Sequence, residues 1–296
     1  MYRLNKKIII YSFCLILFNL FFLTISSVDL VIFSYDRPMQ LYALLESCEL
    51  CLSGTSSKTV LYRVSGSDYQ AGYELVQARF SDVKFVKQLN PPDDFKELVK
   101  KYAFEETKSR YIMFAVDDLF VKAPVNLIYC VRLLEKFKAY TFSLRLSPDI
   151  NYFYILDKPM QVPPSMQVMQ GIYRYIFKDG KYDWAYPNSV DMNIYRKKDI
   201  SQALLAADFK GPNQLEAAWA SRANLNLTGL YFDESRVVNI PLNLVQTAWS
   251  LKAMHSYSVK ELLVRFMQGQ KINLEPIANL KNNSVHTDFD IDFVER

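Results

Sequence analysis

Asp117 and Asp118 are adjacent carboxylates that close an apolar run beginning at Tyr111. Two such charges repel each other. The repulsion is tolerable where they face water, and useful where a divalent cation lies between them. A short continuous apolar run reads as a buried strand. Open α/β sheets bind their ligands at the carboxyl ends of strands. An oxygen-rich site at that place suits Mg2+ or Mn2+ holding a diphosphate. The plain alternative is a solvated junction between strand and turn.

Other residues carry a similar double reading. Glu216 follows Gly211-Pro-Asn-Gln-Leu. It is either part of a capping box with Asn213 as N-cap, or a general base near a hydroxyl. Trp219 then sits one turn beyond, on the same helix face. Asp191 lies in Pro187-Asn-Ser-Val-Asp, just after Tyr182, Trp184 and Tyr186. Aromatic platforms beside a carboxylate suit a sugar, and they are also ordinary sheet core. His286, in a polar C-terminal stretch, is in a position to complete a metal site, whereas His255 reads as structural. Arg37 follows the first strand and Arg63 ends the second. Both can meet phosphate or a base edge; surface ion pairs are the default alternative.

The elements that must position these residues alternate. Leu30 to Phe33, Thr59 to Val64, Val83 to Val86 and Tyr111 to Val116 read as strands. Helices are expected from Pro38 to about Leu52, from Asp68 to Phe80, and from Asp93 or Asp94 to about Lys108. This β-α-β-α-β-α-β order argues for a mostly parallel sheet with helices on both faces. No G-x-G-x-x-G follows the first strand and no P-loop sequence occurs, which disfavours both phosphate-binding folds. Further on, Pro124 to Lys138 reads as a helix, Ala139 to Leu146 and Ser189 to Tyr195 as strands. Ile172 to Tyr186 reads as a hairpin turning at Asp179-Gly180. Helices are expected over Ile200–Asp208, Asn213–Ala223 and Val259–Gln268. The last dozen residues read as an acidic tail.

The composition bounds the rest. Of 296 residues half are apolar, Tyr and Phe number 20 each and Gly only 8, so a large core is expected rather than disorder. The net charge of +4 is dispersed, with no basic stripe carrying interleaved aromatics, so nucleic acid is not an expected partner. Cys48 and Cys51 form a C-x-x-C inside an amphipathic helix, with no second such pair; they read as small hydrophobes, as does Cys130. Arg3, Lys6 and Lys7 precede an uncharged apolar stretch from Ile8 to Ile25. That stretch is either an uncleaved membrane anchor or a cleaved leader ending near Thr24-Ile-Ser-Ser. Spanning would place the body on the far side from the basic N-terminus; lying in the interface would keep it on the same side. Residues 1–27 are thus read as a membrane segment and 28–296 as one domain.

Together these residues resemble a glycosyltransferase of the GT-A fold, family-2-like and of an uncharacterised bacterial type. Val31-Ile-Phe-Ser-Tyr-Asp-Arg-Pro-Met-Gln-Leu is similar to the first strand and loop that meet the nucleotide in that fold. Phe114-Ala-Val-Asp-Asp is similar to its metal-binding motif, and Glu216 to the acidic residue that serves as its catalytic base. Val116 stands where the first Asp of a full D-x-D would stand. The resemblance implies an open mixed sheet flanked by helices, with a nucleotide-binding half over 28–122 and an acceptor half over 123–296. It implies a nucleotide-sugar donor contacted by Ser34, Asp36, Arg37, Arg63 and Asp117. Mg2+ or Mn2+ would lie on Asp118 and His286, Glu216 and Asp191 would be catalytic, and the acceptor would be a glycan, lipid or protein. Two other classes fit part of the pattern: a nucleotidyltransferase, and a carbohydrate-binding protein that kept the fold and lost the activity.

Overall fold

The structure is a computed structural model, and it describes residues 27–107, 109–243, 245, 257–278 and 280–296. The apolar stretch expected to meet a membrane, residues 8–25, lies outside these, as do Cys14 and His255. Among the described residues no helix is long and apolar enough to cross a membrane.

The first half follows the expected alternation. β1 (Val28–Tyr35) leads into α1 (Pro38–Cys51), which opens on Pro38, where a missing N–H is harmless. β2 (Thr55–Arg63), α2 (Ser67–Arg79), β3 (Lys84–Lys87), α3 (Phe95–Lys100) and β4 (Tyr111–Val116) follow. A π-turn over Lys101–Glu105 ends the third helical segment. Asp94 does not cap α3 with its side chain. Its carboxylate instead accepts the backbone N–H groups of Leu89 and Asn90, closing the loop in front of the helix. β5 (Leu119–Val121), α4 (Leu127–Lys136) and β6 (Thr141–Ser143) complete this stretch.

One mixed sheet spans both halves of the chain. To β1–β4 and β6 it adds β7 (Ser165–Met169), β8 (Ile172–Ile176), β9 (Asn193–Arg196) and β10 (Thr228–Phe232). The strand order is β7-β8-β10-β6-β9-β4-β1-β2-β3. β3, β2, β1 and β4 run parallel, while β9 is antiparallel to both β4 and β6. The order 3-2-1-4 makes the crevice between the ends of β1 and β4 a topological switch point. Ser34 and Arg37 leave β1 there, and Asp117 and Asp118 leave β4.

Both faces of the sheet are covered, so the central strands are apolar throughout. Leu30, Ile32, Met113 and Ala115 point to a core closed by α1, α4 and α7 (Val259–Met267). Val31, Phe33, Ile112 and Phe114 face α3, α5 (Lys197–Leu205) and α6 (Pro212–Ala220). Trp219 is fully buried in this second layer, edge-on to Phe114 and against Tyr195. Cys48, Cys51 and Cys130 are free thiols. Burial pushes Cys48 and Cys130 up to about 12, which suits a packing role and not a redox one.

Three expectations are corrected. The hairpin of β8 pairs with β7, turning at Gly171, whose φ is +69°. Tyr182–Ala185 is a 3-10 turn, not a strand. Gly180 has an ordinary φ of −95° and is needed for closeness, since a Cβ there would meet Trp184 Cβ at 2.5 Å. The helix expected to start at Asn213 starts at Pro212, and its N-cap is Gly211, so no capping box forms. The acidic C-terminus is not a loose tail. Ile291 is buried, and β13 (Phe293–Glu295) pairs with β12 (Gln270–Ile272) after α7.

Candidate functional site

The switch point is built around Arg37. Its Nη1 lies 2.9 Å from Asp117 Oδ1 and 3.1 Å from Asp118 Oδ2. The Arg37 guanidinium thus lies against both carboxylates. Its Nε donates to Asn243 Oδ1 at 2.8 Å, and its Nη2 to the Asn243 carbonyl. Asp117 is buried and faces inward, accepting from Ser34 Oγ at 2.8 Å and from the Tyr35 N–H. Burial raises its pKa, against the pull of Arg37. Tyr73 completes the knot by donating to Ser34 Oγ. Asp36 adopts a left-handed φ of 55° and accepts the Ser65 N–H at 2.8 Å, tying the β1 loop to the β2 loop. Arg63 lies 3.9 Å over the Tyr35 ring. Ser34, Asp36, Arg37 and Asp117 are thus all buried and hydrogen-bonded where β1 and β4 end.

Asp118 is the freer acid. Among the described residues it accepts from Arg37 and from Asn239 Nδ2, the latter at 3.0 Å. Asn239 ends β11 (Val237–Asn239), which pairs with β5. The segment holding His286 bridges to Asn239 in parallel, through Val285 O and Thr287 N. This brings His286 into the surroundings of Asp118. Burial, helped by Arg145 and opposed by Asp118, brings the imidazole down to about 4, so it is neutral at pH 7. The buried Asn239 Oδ1 has no partner. The Asp118 carboxylate and the unpaired amide oxygen are donors of the kind Mg2+ and Mn2+ take, while a neutral imidazole is a ligand of later transition metals. No group of three or more His, Cys, Asp or Glu able to hold a metal occurs among the described residues.

The second constellation adjoins the first. Met192 N–H donates to the Phe114 carbonyl at 2.7 Å, so the chain entering β9 lies against the end of β4. There Asp191 pairs with Arg145 at 2.9 Å. Arg145 Nη2 donates to Ser189 Oγ at 3.2 Å, and Ser189 Oγ donates to Glu216 Oε1 at 2.8 Å. The Val190 N–H also donates to Glu216 Oε1. Glu216 and Asp191, 25 residues apart by their numbers, thus share one network. Burial, then the Asp191 charge, pushes Glu216 up to about 7, against the hydrogen bonds and Arg145. That is the range in which a carboxylate serves as a general base near neutrality. Trp184, expected as an aromatic platform, is fully buried with Nε1 on the Ile150 carbonyl, so its ring belongs to the core.

Arg145, Ser189, Asn239 and Asn243 carry no role that the sequence assigns, although Ser143-Leu-Arg-Leu and Val238-Asn-Ile-Pro-Leu-Asn-Leu-Val-Gln share in the family resemblance. Each is an ordinary polar residue whose meaning comes from a partner distant in the chain. Arg145 stands two residues past the end of β6, a single charge in an otherwise uncharged stretch from Ala139 to Leu146.

No protein-family model matches the chain. Among curated proteins it is similar to the bifunctional glycosyltransferase pgtA of Dictyostelium discoideum, 27% identical over 196 residues, 60% of this chain and 25% of that protein. The chain therefore spans about a quarter of the length of that relative. Among solved structures it is similar to S. aureus TarS 1–349 in complex with UDP. There the identity is 13%, covering 86% of this chain and 67% of that one, with a TM-score of 0.46. The same protein in complex with UDP-GlcNAc gives 13% identity, 86% and 68% coverage and a TM-score of 0.43. The chain is thus similar in sequence to a glycosyltransferase, and its own sheet is the open, mixed, helix-flanked one that the GT-A resemblance implies.

Proposed function

We propose that the protein is a metal-dependent glycosyltransferase that moves a sugar from a nucleotide-sugar donor to a glycan, lipid or protein acceptor. The observation that carries this reading is the shared edge of β4 and β9. In support, it joins the strand that leads to Asp118 to the strand that follows Asp191, and His286 feels both Asp118 and Arg145, the partner of Asp191. The relative's activity supports it. In this reading residues 8–25 attach the body to a membrane.

Asp118, His286 and Asn239 Oδ1 would hold Mg2+ or Mn2+. When bound, the ion would neutralise the charge that develops on the leaving diphosphate. Asp117, Arg37, Ser34 and Asp36 hold the donor wall rigid, and Arg63 on Tyr35 offers a flat edge beside it. Glu216 takes the proton of the acceptor hydroxyl at Oε2, the oxygen left free by Ser189 and Val190. Asp191, fixed by Arg145, orients that hydroxyl. Ionised Glu216 is the working form, so transfer strengthens as pH rises through about 7.

A panel of nucleotide sugars with Mn2+, scored by released nucleoside diphosphate, tests the reading. Release from at least one donor, abolished by chelation, is expected. Binding of free glycans with no turnover of any donor would favour a carbohydrate-binding protein instead.

A further inference from the structure

Arg145 is buried, yet among the described residues its Nε has no hydrogen-bond partner, and its Nη1 meets only the Asp191 charge. Asp183 Oδ2 and Asn193 Oδ1 are also buried without partners. These three residues line one cavity, together with Thr141, Ser143 and Tyr186. Its volume of about 10 Å³ is close to what a single water requires. An orphaned buried donor or acceptor costs roughly 1–3 kcal/mol. Three on the walls of one polar cavity are the partners a bridging water needs.

The other side of the guanidinium faces the candidate base. Nη2 holds Ser189 Oγ, which also accepts the Asp191 N–H and donates to Glu216. Three carboxylates therefore converge on one arginine. We propose that Arg145 is a positioning residue: its guanidinium fixes Asp191 directly and Glu216 through Ser189, and one buried water ties it to Asp183 and Asn193 behind. Its importance for transfer rests on the reading of Glu216 as base, but its geometry does not. Arg145 acts through Asp191 and Ser189. The charged and titratable groups around Glu216 are Asp191 and Arg145, with Tyr186 and Tyr195 alongside and Asp183 beyond the guanidinium.

The test is a carbon-13 carboxyl NMR titration of Glu216 in the full chain, which requires no donor. In Arg145→Gln the midpoint is expected to rise by about one unit, because a favourable cation is gone. In Asp183→Asn it is expected to fall, because the guanidinium is no longer shared. A midpoint unchanged in a folded Arg145→Gln variant overturns the proposal. If that variant does not fold, an unchanged midpoint in Asp183→Asn overturns it. Midpoints that move while the pH profile of kcat/KM stays fixed support the positioning and remove Glu216 from the role of base. A high-resolution map is expected to hold a water between Arg145, Asp183 and Asn193; an empty cavity overturns that part.

Discussion

Arg37 and Asp117 stand 80 residues apart in the chain and 2.9 Å apart in the structure, both buried. Removing one partner of such a pair leaves an uncompensated buried charge, at a cost of about 3–5 kcal/mol. Asp117→Ala is therefore expected to lower the urea midpoint strongly. Asp118→Asn, on the more open carboxylate, is expected to lower it much less. Equal losses in the two variants would mean that the wall and the candidate metal ligand are not separate parts.

Glu216→Gln is expected to leave the fold intact and reduce kcat by about 10²- to 10⁴-fold, the usual contribution of a positioned base. It also changes stability with a definite sign. The carboxyl is raised from 4.5 to about 7 in the folded protein. Between those values the native state holds the proton more tightly than the unfolded one. Stability from this group is thus present below about 4.5 and is lost as pH rises to about 7. The Gln variant lacks this loss, so its stability relative to wild type should increase over that interval. Denaturant titrations at several pH values check it.

His286→Ala is expected to weaken Mn2+ affinity while leaving urea stability changed by less than Asp117→Ala. Calorimetry with Mn2+ and UDP reads it. Unaltered affinity would leave Asp118 and Asn239 as the only protein donors.

Tyr195→Phe removes a hydroxyl that donates to the Pro187 carbonyl and accepts from Ser189 N–H and Asn193 Nδ2. The loop carrying Ser189 and Asp191 hangs on it. Leaving these groups unpaired should cost roughly 1–3 kcal/mol and lower kcat more than it raises KM. Hydrogen exchange of the Ser189 and Val190 amides is expected to quicken.

Much of this architecture was legible in the sequence, for physical reasons. β1 and β4 are largely apolar runs because both faces of the sheet are covered there, and the alternation with helices argues for parallel strands. The position of Asp117 and Asp118 at a strand end followed directly. What lay hidden depends on distant pairing. Nothing near Arg37 foretold that Asn243 and both aspartates would saturate it. Asp179-Gly180 has hairpin composition, yet the glycine makes room for Trp184, while the true turn at Gly171 has weaker local signals. The C-terminal acids concealed Ile291, whose burial holds that segment against the body. Asp191 and Glu216 were chosen separately; Arg145 and Ser189, which unite them, became visible only through contact.

The most direct measurement is calorimetric titration of UDP into the full chain with and without Mn2+, in wild type and in Asp118→Asn. Binding that requires Mn2+ in wild type and disappears in the folded variant is the expected result. Absence of UDP binding at millimolar concentration, or binding indifferent to both Mn2+ and Asp118, would contradict the account.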